Sequence, residues 1–228
     1  MINYLTFNKS DVKDNTIEKI YIALLNSKSS FAIIKTKEEN YILTKERSIF
    51  KINDIDNFIK DANDDIYFKT IYSNNNDYLK EDLNLYYEYL NKYKDKMNKK
   101  YGSKYLFGCV AVKTKNNNII TSIRGKENLD EFTIVTGVDY VNHIVYVNNK
   151  KATLNAPLLY KILEIDNIKT IVHINQQYND ELPYLPYAFP GTEKDSLRII
   201  KKSFNISYHG LFMLFNNNNK MIGSDDNE

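Results

Sequence analysis

The sequence predicts an α/β fold, because amphipathic helical patterns alternate with groups of short strand-like runs along its 228 residues. The clearest helical pattern spans residues 81–99, where Leu83, Tyr86 and Leu90 recur every three or four positions. The clearest strand-like block spans residues 106–147, where short apolar runs are separated by Asn-rich and Lys-rich turns. No apolar stretch approaches the ~18 residues that a membrane-spanning helix requires.

Residues 1–75 are predicted to form an N-terminal α+β extension. Its first helix is expected over residues 11–26, since Ile17, Ile20 and Leu24 fall on one helical face. The other elements expected in this part are strands over residues 31–35, 41–44 and 66–71 and a short helix over residues 52–62.

Residues 76–215 are predicted to form the main domain, followed by a polar and frayed tail over residues 216–228. Pro157 and Thr192 suit the first turns of two helices, expected over residues 155–163 and from Thr192 to about Lys202. The strands expected here cover residues 106–113, 118–121, 132–135 and 144–147, residues 169–172 with His173 at the strand end, and residues 206–215 with a break at His209-Gly210.

Two segments resemble each other. Phe31–Thr44 reads FAIIKTKEENYILT, and Cys109–Thr121 reads CVAVKTKNNNIIT. Each follows a predicted helix and precedes a strand rich in Ile, Val and Tyr. The extension is therefore a candidate truncated repeat, although a sequence biased towards Asn, Lys and Ile also produces such matches by chance.

The charge balance gives no electrostatic case for binding nucleic acid or an anionic membrane. The chain has 31 basic and 29 acidic residues and a net charge of +2. The single cysteine, Cys109, excludes an internal disulfide and fits a reducing compartment, so we expect a cytoplasmic protein. Cys109 lies in a predicted buried strand, where thiols are usually inert.

Two of the three histidines end apolar runs. A neutral imidazole in such a place is a natural ligand for a divalent metal ion. A buried imidazole that packs in the core and bonds a neighbour explains the same pattern. Both interpretations stay open for His173 and His209, whereas His143, at a turn before a strand, is expected to be exposed.

From about Asp82 to Leu214 the sequence resembles the class II aldolase/adducin family. The resemblance is strongest in the succession of His173, the segment Tyr187–Glu193 (YAFPGTE) and His209-Gly210. It implies a three-layer α/β/α domain around a mostly antiparallel sheet, often in a tetramer. Family members cleave or epimerise phosphorylated sugars, or dehydrate related compounds, with a zinc-like ion, whereas adducins are structural cytoskeletal proteins.

The resemblance implies a metal site that this sequence fills only in part. His173 matches the first metal-binding histidine and His209 the third. The second should stand two residues after His173, where this chain has Asn175, a harder and weaker ligand than imidazole. The acid–base glutamate should fall near Asn155-Ala156, where no carboxylate is present.

The phosphate-contacting segments are also altered. Cys109 and Ala111 occupy positions where the family has Asn and Ser. The substrate-binding candidates that the resemblance leaves are Gly108, Thr121, Arg124 and Gly125, with Lys126 as a second cation that could meet an anion.

Two functions follow from the sequence. In the first, the metal and acid–base site is eroded, no cofactor is bound, and the protein has a binding or assembly role, as a homo-oligomer or with a protein partner. In the alternative, a divergent metal-dependent lyase or epimerase acts on a sugar phosphate. That enzyme would hold zinc or another divalent ion through His173, His209 and Asn175 and borrow a carboxylate such as Asp180 or Glu181.

Overall fold

The computed structural model describes residues 3–45, 48–73, 78–97, 105–128, 130–198 and 200–223. The described residues divide into two compact units, the first up to Asp65 and the second from Ile66 onwards. No helix among these residues is both long enough and apolar enough to cross a membrane.

The first unit contains a four-stranded sheet. Its order is β1-β2-β3-β4, with β1 parallel to β2 and the other pairs antiparallel. Helix α1 buries Ile20, Tyr21 and Leu24. The elements of this unit are β1 (Tyr4–Asn8), α1 (Asp14–Leu25), β2 (Phe31–Lys35), β3 (Asn40–Thr44), β4 (Ile49–Ile52) and α2 (Ile55–Asp64).

The second unit is built on a nine-stranded sheet. Its order is β11-β12-β13-β10-β6-β7-β8-β9-β5, and only the β11–β12 and β5–β9 pairs are parallel. Its elements are β5 (Lys69–Tyr72), α3 (Lys80–Tyr93) with a 3₁₀ turn at Lys94–Lys96, β6 (Cys109–Lys113), β7 (Ile119–Ser122), β8 (Phe132–Asp139), β9 (Ile144–Val147), α4 (Ala156–Leu163), β10 (Ile168–Asn175), β11 (Tyr184–Leu185), α5 (Glu193–Ser196), β12 (Phe204–Ile206) and β13 (Gly210–Asn216).

The two faces of the large sheet carry different helices, which confirms the predicted three-layer α/β/α arrangement around a mostly antiparallel sheet. Tyr86 and Leu90 of α3 pack with Val172 of β10 on one face. Leu159 of α4 packs with Ile171 on the other face. Because side chains alternate along a strand, His173 points to the α4 face, as Ile171 does.

Several predicted elements of the main domain end elsewhere: helix α3 ends at Tyr93 rather than at residue 99, β8 runs on to Asp139, and the strand of His173 and the helix after Thr192 also differ. His173 does not end its strand, because β10 pairs with β13 from Ile168 through Asn175. The helix that begins at Thr192 stops at Ser196 rather than near Lys202. The chain must be extended again by Phe204, which begins the buried strand β12.

The C-terminal segment also differs from the frayed tail expected after residue 215. Asn216 belongs to β13, and its Oδ1 accepts hydrogen bonds from the backbone N–H groups of Asn218 and Lys220. The chain then turns back, and the N–H of Ile222 donates to the carbonyl of Leu214 at 2.8 Å. Residues 224–228 of the predicted tail lie outside the described residues.

Each unit contains a helix followed by three antiparallel strands, α1-β2-β3-β4 and α3-β6-β7-β8. Whether this succession reflects a duplication stays a prediction, as does the division of the chain near residue 75. The segment predicted as a strand over 66–71 forms β5 and pairs with β9 in the large sheet.

Candidate functional site

His173 and His209 meet on the α4 face of the large sheet. His173 lies in β10 opposite Phe212, and His209 lies in the turn between β12 and β13. Their ring centroids are 4.6 Å apart, and the ring of His173 stacks on Phe212 at 4.0 Å. Both histidines are only 1% exposed. The sequence-predicted pair is therefore brought together in a tightly packed environment.

The protonation state of His173 follows from its surroundings. Its Nδ1 lies 3.0 Å from the carbonyl oxygen of Leu211, which can only accept, so Nδ1 carries the proton and Nε2 keeps a lone pair. Among the described residues, neither Nε2 of His173 nor Nδ1 of His209 has a hydrogen-bond partner. Burial lowers the pKa of His173 to about 4 and holds the pKa of His209 well below its usual value.

Two cations lie near the imidazoles. After burial, the positive charge of Lys126 is the next influence that lowers the pKa of His173. Arg198, together with His173, lowers the pKa of His209 further. Lys126 is 3% exposed and its Nζ donates a hydrogen bond to the Gly108 carbonyl, so it does not face an anion at the surface as the sequence suggested.

Two glycines allow the backbone to pass close to β10. A Cβ on Gly108, where φ is +92°, would lie 2.8 Å from the carbonyl oxygen of His173. A Cβ on Gly210, where φ is +145°, would lie 2.3 Å from the carbonyl oxygen of Ile174. Both glycines are therefore required by the fold around the histidines, whatever ligand the site holds.

The third predicted metal ligand, Asn175, lies at the end of β10 opposite Gly210. Its side chain acts on His173, whose pKa it raises slightly against the effect of burial. Among the described residues, no group of three His, Cys, Asp or Glu side chains could hold a metal ion. The donor set consists of two imidazoles and an amide beside two cations, which does not fit the nitrogen, sulfur and carboxylate ligands of a zinc site.

The position implied for the acid–base glutamate has no carboxylate. Asn155 stands just before α4, and Ala156 begins the helix with 3% exposure. Burial raises the pKa of the nearby Cys109 thiol, against smaller opposing influences of Lys126, Thr153 and Asn155. The expectation that Cys109 is buried is thereby confirmed, and its raised pKa fits an unreactive thiol.

The substrate-binding candidates are not gathered in one cradle. Thr121 is fully buried in β7, and its hydroxyl donates to the carbonyl of Val110 at 2.9 Å. Arg124 and Gly125 lie in the exposed turn that follows β7. Arg124 lines a cavity of about 30 Å³ together with Thr153 and other residues. Thr121 therefore stabilises the sheet, while Arg124 lines a cavity that Thr121 does not reach.

Sequence reasoning missed two features near the site and misjudged a third. Phe212 and Arg198 were not recognised. For Arg198 a signal existed, because Asp195 and Arg198 have the i, i+3 spacing of a helical ion pair. In the structure, Oδ1 of Asp195 and Nε of Arg198 lie 3.3 Å apart. His143 is not exposed as expected. Its side chain is 17% exposed, and Nε2 lies 3.4 Å from Oε1 of Glu193.

No protein-family model matches the chain, and no curated protein matches it. Among solved structures, an L-fuculose 1-phosphate aldolase is similar at 14% identity and a TM-score of 0.45, covering 61% of this chain and 77% of that one. YgbL from Escherichia coli, to which an aldolase, epimerase or decarboxylase activity is ascribed, is 13% identical with a TM-score of 0.42, covering 59% and 80%. Its counterpart from Klebsiella pneumoniae is 12% identical with a TM-score of 0.41, covering 59% and 78%. These similarities concern the fold alone.

Proposed function

We propose that this chain is a class II aldolase-like protein that has lost the chemistry of a lyase or epimerase and serves a binding or assembly role. The observation that carries the proposal is the pair of substitutions at the implied site, Asn175 for an imidazole ligand and Ala156 for the catalytic carboxylate. Ala156 is 3% exposed at the start of α4, so no solvent-accessible side chain replaces the carboxylate there.

The physical cost of these losses is large. General acid–base catalysis alone contributes roughly 10²–10⁴-fold to a reaction rate. The imidazoles are buried against Phe212, and the positive charges near them oppose a divalent ion. A site with neither a proton-transfer group nor a strongly held ion would be a poor catalyst for sugar phosphates.

Metal analysis of the full-length protein, purified in the presence of zinc and without chelators, tests the proposal. We expect much less than one zinc per chain, and no change in zinc content in His173→Ala. Asn175→His, which restores a third imidazole, is the matched variant. Stoichiometric zinc in the unmodified protein that is lost in His173→Ala would overturn the proposal.

A divergent metal-dependent lyase or epimerase is the second candidate. It is favoured by the two buried imidazole nitrogens, Nε2 of His173 and Nδ1 of His209, that have no hydrogen-bond partner among the described residues. Such an enzyme would need Asn175 as a third ligand and a carboxylate from a loop or another subunit. Turnover of a sugar phosphate that requires both histidines and added zinc would favour this candidate.

The assembly part of the proposal is a homo-oligomer formed through β5, an edge strand of the large sheet. Its Ile71 and Tyr72 are 44% and 55% exposed. An edge strand offers unpaired backbone N–H and C=O groups to another strand. A second copy presenting the same edge satisfies these groups in a two-fold arrangement, in which one surface pairs with itself.

Analytical ultracentrifugation tests this assembly. We expect the unmodified protein to sediment as a dimer or larger species and Tyr72→Lys to shift it towards the monomer. Val141→Lys is the control, because Val141 is 85% exposed in the turn before β9. A monomeric unmodified protein would refute the homo-oligomer, and an unchanged sedimentation of Tyr72→Lys would refute the role of β5.

A further inference from the structure

We infer that the ammonium group of Lys126 is the resident cation of the histidine site and takes the place of the divalent ion that the family resemblance implies. This assignment rests on the proposed function and gives a physical cause for the loss of metal binding. It assigns to Lys126 a role in excluding metal ions, rather than the anion-binding role suggested by its place in the sequence.

The position of the ammonium group follows from a short chain of contacts. Lys126 Nζ donates a hydrogen bond to the Gly108 carbonyl. The next residue, Cys109, pairs directly with His173 across the β6–β10 ladder. Gly108 itself approaches the His173 carbonyl so closely that a Cβ there would lie 2.8 Å from it. The lysine side chain is thus bonded to the same backbone segment that borders His173.

The ammonium group is held in an unusual way for a buried charge. Lys126 is 3% exposed, and no carboxylate forms an ion pair with it within the part of the chain that the structure describes. Burial lowers its pKa to about 8, and Cys109 and Glu131 oppose that shift only in part. Near pH 7 most Lys126 side chains therefore remain charged inside the unit.

A divalent ion at His173 would share this space with a positive charge that no carboxylate neutralises. Like charges in a poorly solvated environment repel strongly. After burial, the same positive charge is the next influence that lowers the pKa of His173. Arg198 acts on His209 in the same way, but its guanidinium is bonded to Asp195 and to the carbonyl of Pro186.

Zinc titration of four proteins by calorimetry tests the inference: the unmodified chain, Lys126→Met, Lys126→Arg and the double variant Lys126→Met/His173→Ala. Methionine keeps most of the length of the side chain and removes the charge, and arginine keeps the charge. We expect Lys126→Met to bind zinc at least about tenfold more tightly than the unmodified chain and Lys126→Arg. The double variant is expected to lose this gain.

The outcomes separate the inference from the proposed function. If neither the unmodified chain nor Lys126→Met binds zinc, the inference is wrong and the proposed function stands. If the unmodified chain binds zinc through His173, both are wrong. A gain in Lys126→Met that survives in the double variant also overturns the inference, because the zinc would then bind elsewhere.

If Lys126→Met does not fold, NMR of the unmodified chain labelled on lysine decides. A lysine signal that titrates near pH 8 and disappears in Lys126→Arg supports a buried ammonium group in the site. A Lys126 signal that titrates near the usual value of about 10.4 would overturn the inference.

Discussion

Replacing Gly210 with alanine tests whether the His209-Gly210 pair serves the fold rather than the chemistry. Gly210 begins β13 with φ of +145°, a conformation that is almost exclusive to glycine. An added Cβ would lie 2.3 Å from the carbonyl oxygen of Ile174, 2.8 Å from the N of Gln176 and 3.0 Å from the Cα of Asn175. All three are backbone atoms, so no side-chain rotation relieves the contact.

The expected loss follows from two contributions. Holding a residue other than glycine in this region costs roughly 1–3 kcal/mol. Overpacking that forces the backbone to shift typically costs a further 1–3 kcal/mol. The neighbouring strand β10 is paired on both sides, with β13 and β6, so it cannot move away without breaking hydrogen bonds. We expect Gly210→Ala to lower the free energy of unfolding by about 3–4 kcal/mol.

Urea unfolding followed by far-UV circular dichroism measures this loss, since the chain contains no Trp to report by fluorescence. Gly137→Ala is the matched control within the same sheet. A Cβ on Gly137 would meet only the ring of Tyr146, at an ordinary 3.8 Å. If Gly210→Ala unfolds within about 1 kcal/mol of Gly137→Ala, the backbone role assigned to Gly210 is incorrect.

Three further changes have defined outcomes. Stability is expected to fall as the pH drops from about 6.5 to 4, because His173 takes up its proton at a higher pH in the unfolded chain than in the folded one. The loss in the free energy of unfolding reaches about 3 kcal/mol and is smaller in His173→Asn. His209, whose pKa is also depressed, adds to this loss in the same direction, as acid titration of urea midpoints would show. Asp82→Asn should cost about 2 kcal/mol in urea unfolding, because it weakens the 3.2 Å ion pair of a buried carboxylate with Lys169; an unchanged midpoint would contradict that role. Thr192→Ala should cost about 1 kcal/mol and Thr192→Ser much less, since the hydroxyl caps α5; equal thermal shifts of the two variants would disprove the capping role.

The regular elements of the chain were predictable because local patterns determine them. The strands over residues 31–35 and 144–147 were predicted with the observed bounds, since apolar β-branched residues fill them and polar turns flank them. Helix α3 was predicted over residues 81–99 from its three-to-four spacing; it begins one residue earlier, at Lys80, and ends at Tyr93, where a 3₁₀ turn follows.

The errors arose where tertiary contacts override local preference. The run after Thr192 has good helix formers, but the Arg198 side chain donates to the carbonyl of Pro186, and the chain must reach the buried Phe204 in extended form. Lys126 was expected to be able to meet an anion, and most lysines lie at the surface. Its burial depends on the Gly108 carbonyl, a contact between residues 18 positions apart that no local pattern indicates.

The contrast between local patterns and tertiary contacts also explains why the motif formed by His173, Tyr187–Glu193 and His209-Gly210 indicates a fold better than a reaction. Gly108 and Gly210 are fixed by backbone approaches of less than 3 Å, so the fold retains them even when no ligand is bound. Asn175, by contrast, lies at the end of β10 opposite Gly210 and is not a glycine that such a backbone approach requires. His173 persists for a third reason, because its ring fills the α4 face against Phe212 and its Nδ1 bonds the Leu211 carbonyl. Under the proposed function, catalysis no longer constrains positions 175 and 156, whereas His173, Gly108 and Gly210 still maintain the sheet.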